Sequence, residues 1–315
     1  MLVPLAALFT AMLLWSSAFI ALKLALTVFT PLFLVTARLC LASVAVAMFW
    51  NRLRPFPYRT GDWRALVFMG LCEPLLTFLL ETEALRWTSA SQAAVVTALL
   101  PVLVALAAWP VLGERLGVRG ALGCAISFSG VAWLTVAGTV TDQAPRPVLG
   151  NILEFLAMVV ATGNILTVKR LSARYSPLHL TGFQTLFGAV CLLPGLLLPQ
   201  GRWPEAFPLV PTLALLYLGV IVTLCAYGLY NFGISRIPAG QASAWINLIP
   251  VLTLVLDALL LGGVLSIWQC VAAALVLVGV AAAQSRSWRT PRPHPPGPLP
   301  GARGGATTPG KDCAR

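Results

Sequence analysis

The sequence predicts an all-α integral membrane protein whose ten transmembrane helices form two inverted five-helix repeats. Three observations carry that expectation. Hydrophobic residues make up 58% of the 315-residue chain and charged residues 10%, against about a quarter charged in soluble domains. Apolar runs of spanning length recur along the chain. The two halves also align with each other at a nearly constant offset.

A spanning helix needs about 20 mostly apolar residues. Such runs fall at 4–22, 30–50, 64–82, 90–110, 118–138, 149–168, 177–198, 210–230, 240–261 and 264–283. The first, with Ser16-Ser17-Ala18 as a small-residue site, could pass for a signal peptide, but no basic region precedes it. Its counterpart in the repeat makes it a span. From residue 285 the composition turns to Pro, Gly and Arg, which cannot bury enough apolar area to order itself. The expected organisation is a first repeat at 4–140, a second at 148–284, and a disordered cytoplasmic tail at 285–315.

Ten spans place 16 of the 21 Lys and Arg on the side that holds both termini and four on the other, with Arg38 inside a span. The positive-inside rule then makes both termini cytoplasmic. Tryptophans agree: Trp50, Trp63, Trp109 and Trp288 fall at inner ends, and Trp87, Trp133, Trp203 and Trp268 at outer ends, as interfacial belts require.

A shift of 149 aligns Gly70 with Gly219, Gln92 with Gln241, Pro101-Val102-Leu103 with Pro250-Val251-Leu252, and Gly130-Val131-Ala132 with Gly279-Val280-Ala281. Earlier in each half, a shift of 146 aligns Lys23 with Lys169 and Pro31-Leu32 with Pro177-Leu178. Five spans per half is an odd number, so the second half enters the membrane from the opposite side, which defines an inverted repeat.

The formal net charge of +11 sits in short connectors rather than on one folded face, so it reads as a topology signal and implies no nucleic-acid partner. The seven cysteines are scattered with no CxxC spacing, and the two histidines, His179 and His294, lie far apart. Neither a disulfide framework nor a metal site is expected. No P-loop, HExxH or nucleophile elbow appears, so the chain is not expected to be an enzyme and no cofactor is implied.

Ala84-Leu85 with Thr88-Ser89-Ala90, Pro101-Val102, Leu112-Gly113-Glu114-Arg115-Leu116 and Gly130-Val131 together resemble the EamA domain of the drug/metabolite transporter superfamily. Leu14-Trp15-Ser16-Ser17-Ala18-Phe19 and Ala37-Arg38-Leu39 are similar to its first two helices. Two tandem copies would cover roughly residues 4–283. The resemblance implies a ten-helix exporter or permease of small metabolites in the plasma (cytoplasmic) membrane, working without ATP hydrolysis. The second copy departs from the pattern, with Gly262-Gly263-Val264 where a Gly-Glu pair is expected.

Charges deep in hydrocarbon are costly and mark candidate sites. By helix rise, Arg38 falls ~12 Å below the outer boundary and Glu73 ~14 Å above the inner one, and Glu73 reads as the sole acidic residue near the midplane. The pair is either a solute or proton site or a structural ion pair. Glu154 and Asp257 come within ~5–8 Å of the outer boundary, where snorkelling suffices. Gln92, Gln241, Gln184 and Asn164 offer uncharged hydrogen-bonding groups that either line a pathway or bridge helices. Pro101 and Pro250 free backbone carbonyls at matched places in both halves, a pattern that points to a central site. Trp15, beside Ser16, either offers its face to a solute, an organic cation above all, or packs in the core. Glu114 and Arg115 at an inner helix end read as an anchor or gate. The partners implied are a small-molecule solute, the lipid bilayer and a coupling proton, with a homodimer allowed. A non-transporting scaffold or sensor on the same helices is the alternative.

Overall fold

A computed structural model describes residues 2–48, 58–112, 118–137, 140–237, 245–263 and 266–284. Three predicted site residues (Glu114, Arg115 and Gln241) and the predicted tail lie outside them. The described residues are helical throughout, apart from connectors and one isolated bridge between Thr141 and Ala144. Among the described residues, six helices are long and apolar enough to cross a membrane: Leu2–Ala25, Trp63–Trp87, Ala90–Ala107, Pro147–Leu171, Pro177–Leu197 and Leu209–Arg236. Four shorter apolar helices accompany them, at Pro31–Ala47, Gly120–Val136, Trp245–Leu260 and Ile267–Ala282.

We label the elements α1 (Leu2–Ala25), α2 (Pro31–Ala47), α3 (Trp63–Trp87), α4 (Ala90–Thr97), α5 (Leu100–Leu112), α6 (Val118–Val136), α7 (Pro147–Leu171), α8 (Pro177–Leu192), α9 (Leu209–Arg236), α10 (Leu248–Leu260) and α11 (Ile267–Gln284). Local chemistry sets their ends. Thr30 and Ser176, repeat mates at a shift of 146, each accept a hydrogen bond from the backbone N–H three residues on, with proline at the first helical position. Pro101 clashes with the carbonyl four residues earlier, and the fourth run accordingly breaks at Ala98-Leu99, between α4 and α5. The corresponding place in the second half is a 3₁₀ turn, Trp245–Asn247, leading into α10.

Helices α3 and α9 share a second irregularity. Residues Leu71–Leu76 and Tyr217–Ala226 are π-helical, and the shift of 149 places the first inside the second. Both helices are longer than expected: α3 runs to Trp87 rather than 82, and α9 to Arg236 rather than 230.

The halves meet through reciprocal contacts. A Cβ on Gly130 would lie 2.8 Å from Val276 Cγ2, and one on Gly279 would lie 2.5 Å from Ser127 N; Ser127 and Val276 are themselves 149 residues apart. Gly70 abuts Phe187, and Gly219 abuts Leu41, again exchanged by the repeat shifts. Two-fold related halves produce such pairs, and the glycines let the backbones approach closely. Trp133 and Trp268, expected at the same membrane face, stack at 6.1 Å.

Large apolar side chains cover the outside, among them Phe9, Val44, Leu122, Leu197 and Leu259, while Arg38, Glu73, Glu154, Asn164, Gln184 and Asp257 are buried. Polar groups in and apolar groups out is the arrangement a bilayer selects. At one end, Asp62 accepts from Arg174 Nη1 at 2.6 Å and Tyr175 OH at 3.1 Å, tying the loop before α3 to the loop before α8. Burial works against ionisation of Asp62, but the hydrogen bonds from Arg174 and Tyr175 and the charges of Arg174 and Arg59 prevail, holding its carboxyl below the usual range.

Candidate functional site

Pro74 has no N–H and its ring excludes a carbonyl in the preceding turn, so α3 opens at Glu73, whose backbone is extended at φ −145°, ψ 124°. The opening leaves the Glu73 carbonyl free, and Gln184 Nε2 donates to it at 3.1 Å. The Glu73 carboxylate accepts from Tyr227 OH at 2.5 Å and from Asn164 Nδ2. Gln184 also donates to Asn164 Oδ1 at 3.0 Å, and Asn231 Nδ2 donates to Thr181 Oγ1 at 2.8 Å and Gln184 Oε1 at 3.3 Å. A buried chain of amides therefore runs from α9 through α8 and α7 to one carboxylate on α3. Satisfied networks of this kind rigidify the groups they hold.

Arg38 is held separately. Its Nε donates to Thr223 Oγ1 at 2.7 Å, in the π-helical stretch of α9, and its guanidinium lies 3.9 Å over the Phe78 ring. The ion pairs among the described residues are Arg86–Glu83 and Arg174–Asp62, so Arg38 and Glu73 are not the directly bonded pair that one sequence reading allowed. Each has neutral partners of its own, and the two charges share a cavity instead.

That cavity is lined by Trp15, Arg38, Glu73, Glu81, Tyr227 and Tyr230 with two threonines and apolar residues between them, and its volume is about 60 Å³. At ~10–15 Å³ per water it has room for a few waters rather than a metabolite. Trp15 packs edge-on against Tyr227 at 5.1 Å and tilted against Tyr230 at 4.9 Å. Trp15 Nε1, Arg38 Nη1 and Tyr230 OH are buried without a hydrogen-bond partner among the described residues, at a cost that native structures seldom bear without a reason.

The lining follows the repeat. Thr97 and Ile246, Leu100 and Ile249, and Glu81 and Tyr230 are pairs at the 149 shift; Trp15 and Ala161, and Phe19 and Ile165, are pairs at the 146 shift; all ten residues line the cavity. It therefore straddles the axis relating the halves. Its arginine and two glutamates, Arg38, Glu73 and Glu81, all come from the first half; their mates in the second half are Gln184, Val222 and Tyr230.

Of the residues expected from sequence, Trp15, Arg38 and Glu73 line this cavity, and Asn164 and Gln184 bond to Glu73. Pro101 and Pro250 each follow a lining residue, Leu100 and Ile249. Ser16 instead ties α1 to its own Met12 carbonyl at 2.7 Å and to Ile249 O of α10 at 3.4 Å. Gln92 belongs to a different network, accepting from Asn151 Nδ2 at 3.2 Å while Thr88 donates to Asn151 Oδ1 at 2.8 Å.

Two expectations need correction. Glu73 is not the sole acidic residue at the cavity, because α3 runs on past 82 to Trp87 and Glu81, one residue from the expected end, lines the wall. Glu154 and Asp257 do not snorkel: they are 0% and 1% exposed, bonded to Thr97 Oγ1 at 2.8 Å and to Ser91, whose N–H donates at 3.2 Å. Helix packing covers both positions. Sequence reasoning also passed over Tyr227, Tyr230 and Thr223. The signal for Glu81 was present, because Ser89-Ala90-Ser91-Gln92 is a capping-box sequence, and the Ser89 side chain does accept from Gln92 N. That fixes the next helix start at 90 and leaves α3 free to run on.

A cavity on the axis of two helical halves, lined by charged and aromatic side chains, suits a multi-pass membrane protein of transporter type. Comparison with known proteins identifies the family: the model of the EamA-like transporter family matches residues 3–136 and again 148–283, and this chain belongs to that family. It is similar to an uncharacterized transporter of Archaeoglobus fulgidus, 26% identical over 245 residues covering 77% of this chain and 83% of the relative. It also resembles a probable terminal-alkyne amino-acid exporter of Streptantibioticus cattleyicolor, 28% identical over 270 residues covering 84% and 88%. A solved crystal structure matches with a TM-score of 0.63 at 24% identity, over 90% of this chain and 96% of that one, a likeness of fold. The chain is a multi-pass membrane protein of transporter type, and its family and relatives are named as transporters rather than enzymes.

Proposed function

We propose that this protein is a secondary transporter, an exporter or permease, that moves a small metabolite across the cytoplasmic membrane by alternating access without ATP hydrolysis. The observation that carries the reading is the cavity on the repeat axis, with buried donors on Trp15, Arg38 and Tyr230 that lack partners among the described residues. Donors left unpaired beside Glu73 and Glu81 suit a solute carrying both a carboxylate and an ammonium group, and the amino-acid exporter of Streptantibioticus cattleyicolor supports that class. Trp15 and the two tyrosines supply aromatic faces for its ammonium end. In this reading the repeats at 4–140 and 148–284 each contribute five spans, the tail at 285–315 and both termini are cytoplasmic, and the halves rock about the cavity, which expands to admit the solute. Glu73 is the group that exchanges a coupling proton.

Flux of amino acids and other metabolites into proteoliposomes of the purified protein, with and without a proton gradient, tests the function. Uptake of a zwitterionic solute above empty liposomes is expected. A protein that moves nothing across a broad metabolite panel is a scaffold or sensor. Reporters fused after residues 145 and 288 are expected outside and inside respectively, and the same side for both would overturn the inverted topology.

A further inference from the structure

Lys23 and Lys169 are repeat mates that the cavity does not use. Lys169 Nζ donates to Ile234 O and Ile237 O, both at 2.9 Å, so the ammonium closes the C-terminal end of α9, its own half's third long helix. By the 149 shift the matching acceptors in the first half are Leu85 O and Thr88 O, at the C-terminal end of α3. The two ends match in backbone as well: Thr88 has φ −127°, ψ 165° and Ile237 φ −129°, ψ 161°. Yet Lys23 does not occupy that place. Its Nζ donates to Gln143 O at 2.5 Å, in the connector between the halves, and Asp257 of the other half supplies an opposing charge. At that end of α3, Arg146 N donates to the neighbouring Trp87 O at 3.1 Å.

We infer that Lys23 and Lys169 are alternating latches: in the opposite access state Lys23 moves onto Leu85 O and Thr88 O while Lys169 leaves Ile234 O and Ile237 O. The inference rests on the inverted-repeat transport reading. In such a protein the two access states exchange the conformations of the halves, so a contact made by one mate here is made by the other mate there. A helix C-terminus carries unsatisfied carbonyls and a partial negative charge, which makes it a natural seat for an ammonium in both states. The full chain offers the same cation two seats, and the balance between them is shifted by whichever lysine is removed.

The test uses the full chain with its seven native cysteines replaced and Ala161→Cys introduced in the cavity wall. Labelling by a membrane-impermeant maleimide is measured from each side, in right-side-out and inside-out vesicles. Lys169→Met removes two carbonyl contacts of the state described here, whereas Lys23→Met removes one contact here, to Gln143 O, against two in the opposite state, so its net effect falls on the opposite state. The two are expected to move the outside-to-inside labelling ratio in opposite directions, each by about tenfold, the worth of one charge-assisted hydrogen bond. The double substitution returns the ratio towards the parent, and Lys→Gln gives the same signs where a Met variant fails to insert. Shifts in the same direction, or none, with solute flux intact overturn the latches alone. A parent that moves no solute and labels from one side regardless of solute overturns the transport reading, and the latches with it.

Discussion

Gly279→Ala probes the packing that brings the halves together. A methyl at this position would lie 2.5 Å from Ser127 N, 2.5 Å from Ser127 Oγ and 2.8 Å from Gly123 O. Two of those atoms are backbone, so relief requires α11 to move away from α6. Overpacking of this kind costs about 1–3 kcal/mol, partly offset by the roughly 0.5–1 kcal/mol that alanine gains over glycine inside a helix. A chain of this size loses about 1.5 °C in Tm per kcal/mol, so a fall of about 1–3 °C is expected. The repeat mate Gly130→Ala meets Val276 N at 2.9 Å and Ala272 O at 3.0 Å and is expected to behave alike. Gly228→Ala is the control, since nothing lies within 4 Å of its added methyl, and it should hold or raise Tm. The assay is thermal unfolding in detergent, followed by fluorescence-detected size exclusion. Gly279→Ala melting no lower than Gly228→Ala would refute the reciprocal close approach of α6 and α11.

Glu73→Gln is expected to abolish gradient-driven transport while sparing solute counterflow, and full gradient-driven transport in this variant removes Glu73 from coupling. Tyr227→Phe loses the 2.5 Å hydrogen bond to the Glu73 carboxylate and should destabilise by about 1.5–3 kcal/mol. Tyr230→Phe deletes a hydroxyl with no partner among the described residues, so its melting temperature should hold while its KM for solute rises; thermal unfolding and flux separate the two. The depressed Asp62 carboxyl stabilises fully above its unfolded value of about 3.8, and this contribution is lost as pH falls through the lower folded value. Asp62→Asn should therefore flatten the acid limb of stability against pH, measured between about pH 5 and 2, and an unchanged limb would exclude the Asp62–Arg174 contact as its source.

The class of fold was legible because bilayer physics acts on every residue of a span: the lengths of apolar runs and the Gly and Pro pairs at fixed offset report it directly. The partnership of Arg38 and Glu73 in one cavity was also legible, because helix rise converts sequence position to depth. Depth carries no azimuth, however. It placed Gln92 and Gln184 on equal terms, yet Gln184 bonds to the Glu73 carbonyl while Gln92 sits with Thr88 and Asn151. Depth also allowed an ion pair that Tyr227, Asn164 and Thr223 pre-empt by hydrogen-bonding the two charges separately. Tyrosines were overlooked because Tyr is compatible with packing, interface and site alike. The burial of Glu154 and Asp257 depends on neighbouring helices rather than on their own.

The partition of charge between the halves has a genetic consequence. Two copies of the first half facing one another would bring together two arginines and four glutamates; two copies of the second would present only amides, tyrosine hydroxyls and aliphatic groups, since the mates of Arg38, Glu73 and Glu81 are Gln184, Val222 and Tyr230. Neither homodimer reproduces the mixed cavity. A half that paired with itself would have to keep every cavity position acceptable to its own rotated copy, and covalent linkage lifts that constraint by guaranteeing one half of each kind at the axis. Cutting the chain between residues 140 and 147 therefore tests more than connectivity: co-expressed halves must choose the unlike partner, and the charge difference that shapes the cavity is also what would make them choose it.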